Sequence, residues 1–488
     1  MTGTGPGPAA FDMVIRNGRI ATASDTFHAD IGIRGGKIVA LAQRLGPGLD
    51  EIDAAGRWVL PGGIDAHCHL DQPTGDASVM ADDFLTGTRS AACGGTTTVI
   101  PFAAQQKGGT LEDAVADYHR RASGKACIDY AFHLIVADAT PHTVQKELPD
   151  LIRRGYTSFK IYMTYESLKL DDRQILDVLA LARSEGAMTM VHAENSDCIA
   201  WLTDYLLERG MKAPRYHGTS RPAVAEREAT HRAISLAEFL DTPVLIVHVS
   251  GAEAADQIRQ AQTRGLRVYA ETCPQYLFLT AADLDRHGFE GAKCICSPPP
   301  RDAGSQQAIW DGLDNGTFQV FSSDHAPFRY EDAQGKKVAG EEADFSRIPN
   351  GIPGLETRLP LLFSEGVLKG RIDIHKFVAL TSTGPARIYG LYPRKGSISV
   401  GADADIVIWD TGLRRTIHND ALHHNVDYTP YEGRRVTAWP AVTLLRGKRV
   451  FDNGAFLGQA GDGQFLPCEK PALAQPRPGR AGRSPWLE

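Results

Sequence analysis

Two histidines one residue apart, His67 and His69, end the run Pro61-Gly62-Gly63-Ile64-Asp65-Ala66-His67-Cys68-His69-Leu70-Asp71. In a strand, residues i and i+2 share a face, so both imidazoles can reach one metal ion. Three further apolar runs end near a ligand candidate: Lys160 in Ser158-Phe159-Lys160-Ile161-Tyr162, His192 in Val191-His192-Ala193-Glu194-Asn195, and His248 in Val247-His248-Val249-Ser250. A fourth ends on Asp324, in Ser322-Ser323-Asp324-His325. Singly, these read as a snorkelling lysine, a capping or core histidine and a turn aspartate. Together they read as ligands delivered at strand ends.

An ammonium repels a dication, so Lys160 as encoded is no ligand. Carbamylated by carbon dioxide to N6-carboxylysine, it becomes an anion whose two oxygens can bridge two metals about 3.5–4 Å apart. Four neutral imidazoles, this carbamate and one carboxylate suit two zinc ions best, and manganese or cobalt also fits the geometry. Such a pair can accept the negative charge that develops when hydroxide attacks an amide carbonyl.

The elements that must position these residues alternate strand and helix, the signature of a parallel sheet with crossover helices. Expected strands are Ile64–His67, Thr96–Phe102, Tyr130–Val136, Ser158–Tyr162, Met188–His192, Val244–His248, Arg267–Ala270 and Gln319–Ser323. Helices are expected over Thr110–Ser123, Asp172–Glu185, Ala223–Leu240 and Ala252–Arg264. Eight strands predict an α/β chain folded as a (β/α)8 TIM-like barrel, with every ligand candidate on the face where such barrels do chemistry. No Gly-x-Gly-x-x-Gly follows a strand, which argues against a doubly wound dinucleotide fold.

Short strands flank the barrel on both sides. Asp12–Ile15, Ile31–Ile33, Lys37–Leu41 and Trp58–Leu60 come first, with Asn17-Gly18 and Gly35-Gly36 as hairpin turn signals. Ser397–Val400, Asp405–Trp409 and Val442–Leu445 follow it. Neither flank can bury a face alone, so they are expected to join in one small β-sandwich. The expected organisation is a first sandwich part over 1–62 (1–10 disordered), a catalytic barrel over 63–390, a second sandwich part and assembly segment over 391–469, and an extended tail over 470–488.

Composition narrows the function. The 488 residues are 42% hydrophobic and 23% charged, with 59 acidic against 52 basic residues. No basic stripe argues for nucleic acid, and no apolar run reaches a membrane span. The N-terminal Met1-Thr2-Gly3-Thr4-Gly5-Pro6-Gly7-Pro8 has neither the basic nor the apolar part of a signal peptide. The eight cysteines match neither a disulfide framework nor a zinc ribbon, so a reduced cytoplasm is the expected compartment. Cys68 is expected to point away from the metal, and Cys294-Ile295-Cys296 to be buried strand.

The order His-x-His, Lys, His, His, Asp between small β-segments resembles the amidohydrolase superfamily, and within it the dihydropyrimidinase/D-hydantoinase family. The likeness runs from about Asp12 to Leu466. It takes in Pro61-Gly62-Gly63-Ile64-Asp65, Ala92-Cys93-Gly94-Gly95-Thr96-Thr97-Thr98, Ile348-Pro349-Asn350-Gly351 and Gly401-Ala402-Asp403-Ala404-Asp405. By that resemblance His67 and His69 bind the more buried metal, His192 and His248 the more exposed one, and carbamylated Lys160 bridges them. Asp324 is implied to ligate the buried metal and to act as general base, moving a proton to the leaving nitrogen. Tyr165 is implied to hydrogen-bond the developing oxyanion, and backbone groups at Ser297 and Asn350 to hold the ring amide. The implied substrate is a small cyclic amide, a dihydropyrimidine or hydantoin opened to an N-carbamoyl amino acid. The implied assembly is a homotetramer, to which the segment from His418 onward is expected to contribute.

Related enzymes share these metals, so substituent contacts must separate them. Dihydroorotase-like enzymes carry an arginine after His-x-His-Leu, where this chain has Asp71, expected to repel an acidic substrate. Asp71-Gln72-Pro73-Thr74-Gly75-Asp76 also departs from the Asp-Met-Pro-Phe-Gly common among relatives. Loops at 72–82 and 166–170 are expected to shape the substituent pocket. Alternative readings are an allantoinase-like or other cyclic-imide hydrolase, or a non-catalytic scaffold related to these enzymes. A mononuclear deaminase fits less well, because it has no use for the strand-four lysine.

Overall fold

The computed structural model describes residues 10–74 and 77–476. Residues 1–9, Gly75, Asp76 and 477–488 lie outside the described residues, and with them most of the expected disordered start and the far part of the expected tail.

The alternating segments form a barrel of eight parallel strands. In chain order these are Gly63–Cys68, Thr96–Ala104, a split third strand (Asp129–Tyr130 and His133–Ile135), Ser158–Tyr162, Met188–His192, Val244–Ile246, Val268–Thr272 and Val320–Phe321. Each pairs with its sequence neighbour, as expected for right-handed crossovers. Two strands stop earlier than expected. His248 and Asp324 have φ of 39° and 48°, in the left-handed region that a β-ladder does not accept. Strands six and eight therefore end at Ile246 and Phe321.

Between strands eight and one a regular ladder gives way to a few specific bonds. The His69 N–H donates to the His325 carbonyl at 2.7 Å. The wholly buried Arg358 donates to Phe321 O at 2.6 Å and Ile64 O at 3.2 Å, and its Nε lies 3.2 Å from Asp65. One guanidinium thus fastens carbonyls of both strands, and the carboxylate balances its charge. Just before strand one, Gly62 leaves room for strand two, because a Cβ there would lie 2.1 Å from Thr97 Oγ1.

Helices wrap the barrel with their apolar faces inward. Helix Asp172–Glu185 begins on a reciprocal capping box between Asp171 and Gln174 and ends at Gly186, whose φ is 70°. Cys68 belongs to the core between barrel and helices, together with Phe84 and Leu111, and so faces away from the barrel interior as expected.

The two flanks share one mixed sheet through antiparallel pairing of Trp58–Pro61 with Ile406–Asp410. The long strand Phe11–Ala21 pairs with Gly48–Asp53 along its first half and with Trp58–Pro61 along its second. Asn17-Gly18 is therefore not a hairpin turn: Asn17, at φ 54°, marks a bulge inside that strand, where the register against Thr26–Arg34 shifts. Gly35-Gly36 does turn a hairpin, at φ 56° and 74°. Ser397–Val400 is not a strand either; just past it the chain meets Lys37–Ala42 through bonds of Ile38 with Gly401 and Ala402 and an ion pair of Lys37 with Asp403. Cys294-Ile295-Cys296 is buried but irregular, leaving a 3-10 turn that ends at Cys294.

The tail, expected to be extended from residue 470, is docked as far as it is described. A 3-10 turn at Ala472–Ala474 buries Ala474 in the barrel-interior core, and Arg267 holds the Gln475 carbonyl at 2.6 Å. Among the described residues no helix is long and apolar enough to cross a membrane.

Candidate metal centre

Strand one carries two imidazoles to the C-terminal mouth of the barrel, and strand eight brings a carboxylate to meet them. Nε2 of His67 and of His69 lie 3.2 and 3.4 Å from Asp324 Oδ1, and the three ligand atoms fall within 4.8 Å of one another. From strand four, Lys160 Nζ reaches to 2.8 Å from His67 Nε2. From strand five and just past strand six, His192 Nδ1 and His248 Nε2 face each other at 2.9 Å. All six side chains are buried.

Outer partners decide which nitrogen is free in three of the four rings. His67 Nδ1 lies 2.6 Å from Glu271, His69 Nδ1 lies 2.6 Å from Gln72 Oε1, and His192 Nε2 lies 2.8 Å from Glu194. Each acceptor fixes its imidazole with the proton outward, which turns the other lone pair into the common space. A set of neutral imidazole nitrogens and one carboxylate oxygen converging this closely fits a divalent cation.

Burial sets the protonation states. It drives the imidazoles of His67 and His248 well below their ordinary range, so both are neutral and competent as ligands. The Lys160 ammonium is pulled down to about 8 by loss of hydration, against the opposing charges of Asp324 and Glu271. Burial pushes the Glu271 carboxyl well above its ordinary value. Burial would raise Glu194 as well, but the Arg221 charge and the His192 hydrogen bond outweigh it and hold that carboxyl at about 2.

The mouth opens into a cleft of about 580 Å³. His69, Lys160, Tyr165, His192, His248, Ser297, Asp324 and Asn350 all line it, with His67 behind them. Tyr165 has φ 64°, and its hydroxyl accepts from Asn350 Nδ2 at 3.2 Å. Ser297 Oγ donates to Glu194 at 2.9 Å. Gly351 follows Asn350 at φ 145°, and a Cβ there would lie 2.5 Å from Ala326. Gln72, Thr74 and Ser78 from one loop and Ser167 and Leu168 from the other line the outer cleft.

Asp71 does not behave as its sequence position implied. It accepts from Arg121 at 2.9 Å and is not part of the cleft wall, so its charge is balanced elsewhere. The repulsion expected toward an acidic substrate therefore has no source at this residue.

Sequence reading passed over Glu271 and Gln72. Glu271 stands just beyond the expected end of strand seven, and a carboxylate in the apolar run Val268–Thr272 was the available signal. Gln72 gave no signal apart from its departure from the commoner methionine. A further mark is visible only in the fold: Tyr165, His248 and Asp324 all hold positive φ, conformations that cost about 1–3 kcal/mol each and gather at functional sites.

Residues 58–450 match the amidohydrolase family. A D-hydantoinase from Ralstonia pickettii is 44% identical over 462 residues, 94% of this chain and 99% of that protein. The crystal structure of dihydropyrimidinase from Brevibacillus agri superposes with a TM-score of 0.92 at 45% identity, covering 96% of this chain and 100% of that one. An L-hydantoinase (dihydropyrimidinase) from Arthrobacter aurescens superposes at 0.85 with 29% identity, over 94% of this chain and 100% of that one. A barrel carrying these ligand atoms at its mouth, together with likenesses that span nearly the whole chain, identifies it: the protein belongs to the amidohydrolase family, in the branch of the D-hydantoinases and dihydropyrimidinases.

Proposed function

We propose that the chain is a binuclear metal-dependent cyclic amidohydrolase that opens dihydropyrimidine and five-substituted hydantoin rings to N-carbamoyl amino acids. The observation that carries this reading is the fully buried Lys160 amine between two pairs of imidazoles, 2.8 Å from one of them. In this reading His67, His69 and Asp324 would hold one cation and His192 and His248 the other, with the carbamate of Lys160 as a ligand to both. Zinc is the preferred metal for such a donor set. When bound, the two cations acidify water and polarise the ring carbonyl.

The chain's own groups do the rest. The Tyr165 hydroxyl donates to the carbonyl oxygen as negative charge gathers on it, a contact that strengthens in the transition state. Backbone groups at Ser297 and Asn350 hold the ring amide in the cleft. Asp324 takes the proton of the attacking water and returns it to the ring nitrogen as the C–N bond breaks. Glu271, Glu194 and Gln72 keep the imidazoles in the orientation this requires.

Outer-cleft residues Gln72, Thr74, Gln106 and Lys107 make a polar wall for the ring substituent, beside apolar Met80, Leu168 and Phe328. A cytoplasmic setting is supported by free cysteines throughout the described residues. A homotetramer is the proposed assembly, checked by light scattering. Turnover of dihydrouracil, hydantoin, phenylhydantoin, allantoin and dihydroorotate tests the substrate. The reading expects dihydrouracil or the hydantoins to be opened fastest; turnover of allantoin or dihydroorotate alone would replace it.

A further inference from the structure

Lys336 and Lys337 are adjacent in sequence and opposite in fate. Lys337 faces out and pairs with Glu331 and Glu341 at 2.6 and 2.7 Å. Lys336 turns inward and is only 1% exposed. Its Nζ donates to the Ile295 carbonyl at 3.1 Å and to the Pro349 carbonyl at 2.6 Å. No carboxylate pairs with it among the described residues, and its pKa falls to about 7 for want of hydration. A buried lysine without a counter-charge is expensive, and an apolar side chain would fill the same space without that penalty.

What the ammonium supplies is a fixed distance between two stretches of main chain. Ile295 lies two residues before Ser297, and Pro349 immediately precedes Asn350. The Gly351 N–H also donates to Ile295 O at 3.0 Å, and the His217 ring lies 2.9 Å from the Cys296 carbonyl. Both stretches line the cleft through Ser297 and through Pro349, Asn350 and Gly351, whereas Lys336 itself is not part of the wall. We infer that Lys336 is a positioning residue for ring binding, clamping the Ser297 segment to the Asn350 segment so that their main-chain groups meet one cyclic amide together. The inference rests on the proposed role of those two segments in holding the ring.

A clamp on groups that touch substrate equally before and during reaction changes KM rather than kcat. Lys336→Met keeps the unbranched apolar stem and removes the donors. It is expected to speed amide exchange in the 294–299 and 347–352 segments by roughly tenfold or more, the scale of one charge-assisted hydrogen bond. KM for hydantoin should rise by a similar factor, with kcat and zinc content nearly unchanged. Lys336→Gln, which retains two N–H donors, should fall between the two proteins and serves in place of the methionine variant if that one does not fold. Unchanged exchange in both segments, or a fall in kcat at constant KM, would overturn the inference. If the unaltered protein opens no cyclic amide, the functional reading fails, and the exchange measurement still decides whether the clamp exists.

Discussion

Nζ of Lys160 lies 2.8 Å from Nε2 of His67 at the buried floor of the cleft, with the Phe102 ring centre 4.5 Å away. An amine with a pKa of about 8 has a usable fraction of free base at neutral pH, and only the free base takes up carbon dioxide. In the proposed site, replacing it with alanine would remove the anion placed between the two cations. Lys160→Ala is expected to abolish both metal retention and turnover, measured by elemental analysis and ring-opening assay. Full activity with both metals still bound would contradict the bridging role.

Tyr165→Phe should act on the transition state alone. Losing one oxyanion donor lowers kcat by about 10²–10³-fold, equivalent to roughly 2.7–4 kcal/mol. Steady-state kinetics should show that fall with KM little changed. A rise in KM alone would make Tyr165 a wall of the cleft and nothing more.

Glu271 acts one step removed from the proposed metals. It accepts from His67 through one oxygen and from the Ser322 hydroxyl through the other, at 2.6 and 3.0 Å. Glu271→Leu removes the acceptor that orients the His67 ring, and metal affinity should weaken roughly 10–100-fold. Competition with a chelator of known affinity measures this.

The barrel was legible wherever the physics was local. Ser158–Tyr162 and Met188–His192 are five-residue apolar runs buried on both faces, and the structure places those strands where the sequence did. What escaped were features imposed by distant parts of the chain. Strands six and eight were read too long because His248 and Asp324 turn left-handed to face the centre, a strain that no local pattern announces. Asn17-Gly18 carries the composition of a hairpin turn, but strands on both sides of Phe11–Ala21 hold the chain straight through it. The roles of Glu271 and Lys336 depend on partners elsewhere along the chain, His67 for the one and the Ile295 and Pro349 carbonyls for the other.

Stability should depend on pH through two histidines that are not ligand candidates. His133 lies between Ser158 Oγ and the Ala66 carbonyl, and His217 faces Cys296 O; burial lowers both to about 3. Below their unfolded value near 6.5 the unfolded chain takes up protons that the folded chain refuses. Their contribution is thus intact above that pH and is lost as pH falls toward about 3, at about 1.4 kcal/mol per pH unit for each ring. Denaturant midpoints at pH 7, 6 and 5 should fall accordingly, and His217→Gln should flatten that slope.

The most direct measurement is anomalous diffraction from crystals grown with zinc and bicarbonate. Two peaks about 3.5–4 Å apart are expected at the barrel mouth, with density extending the Lys160 side chain into a carboxylate between them. One peak, or two with Lys160 ending as a bare amine, would contradict the account.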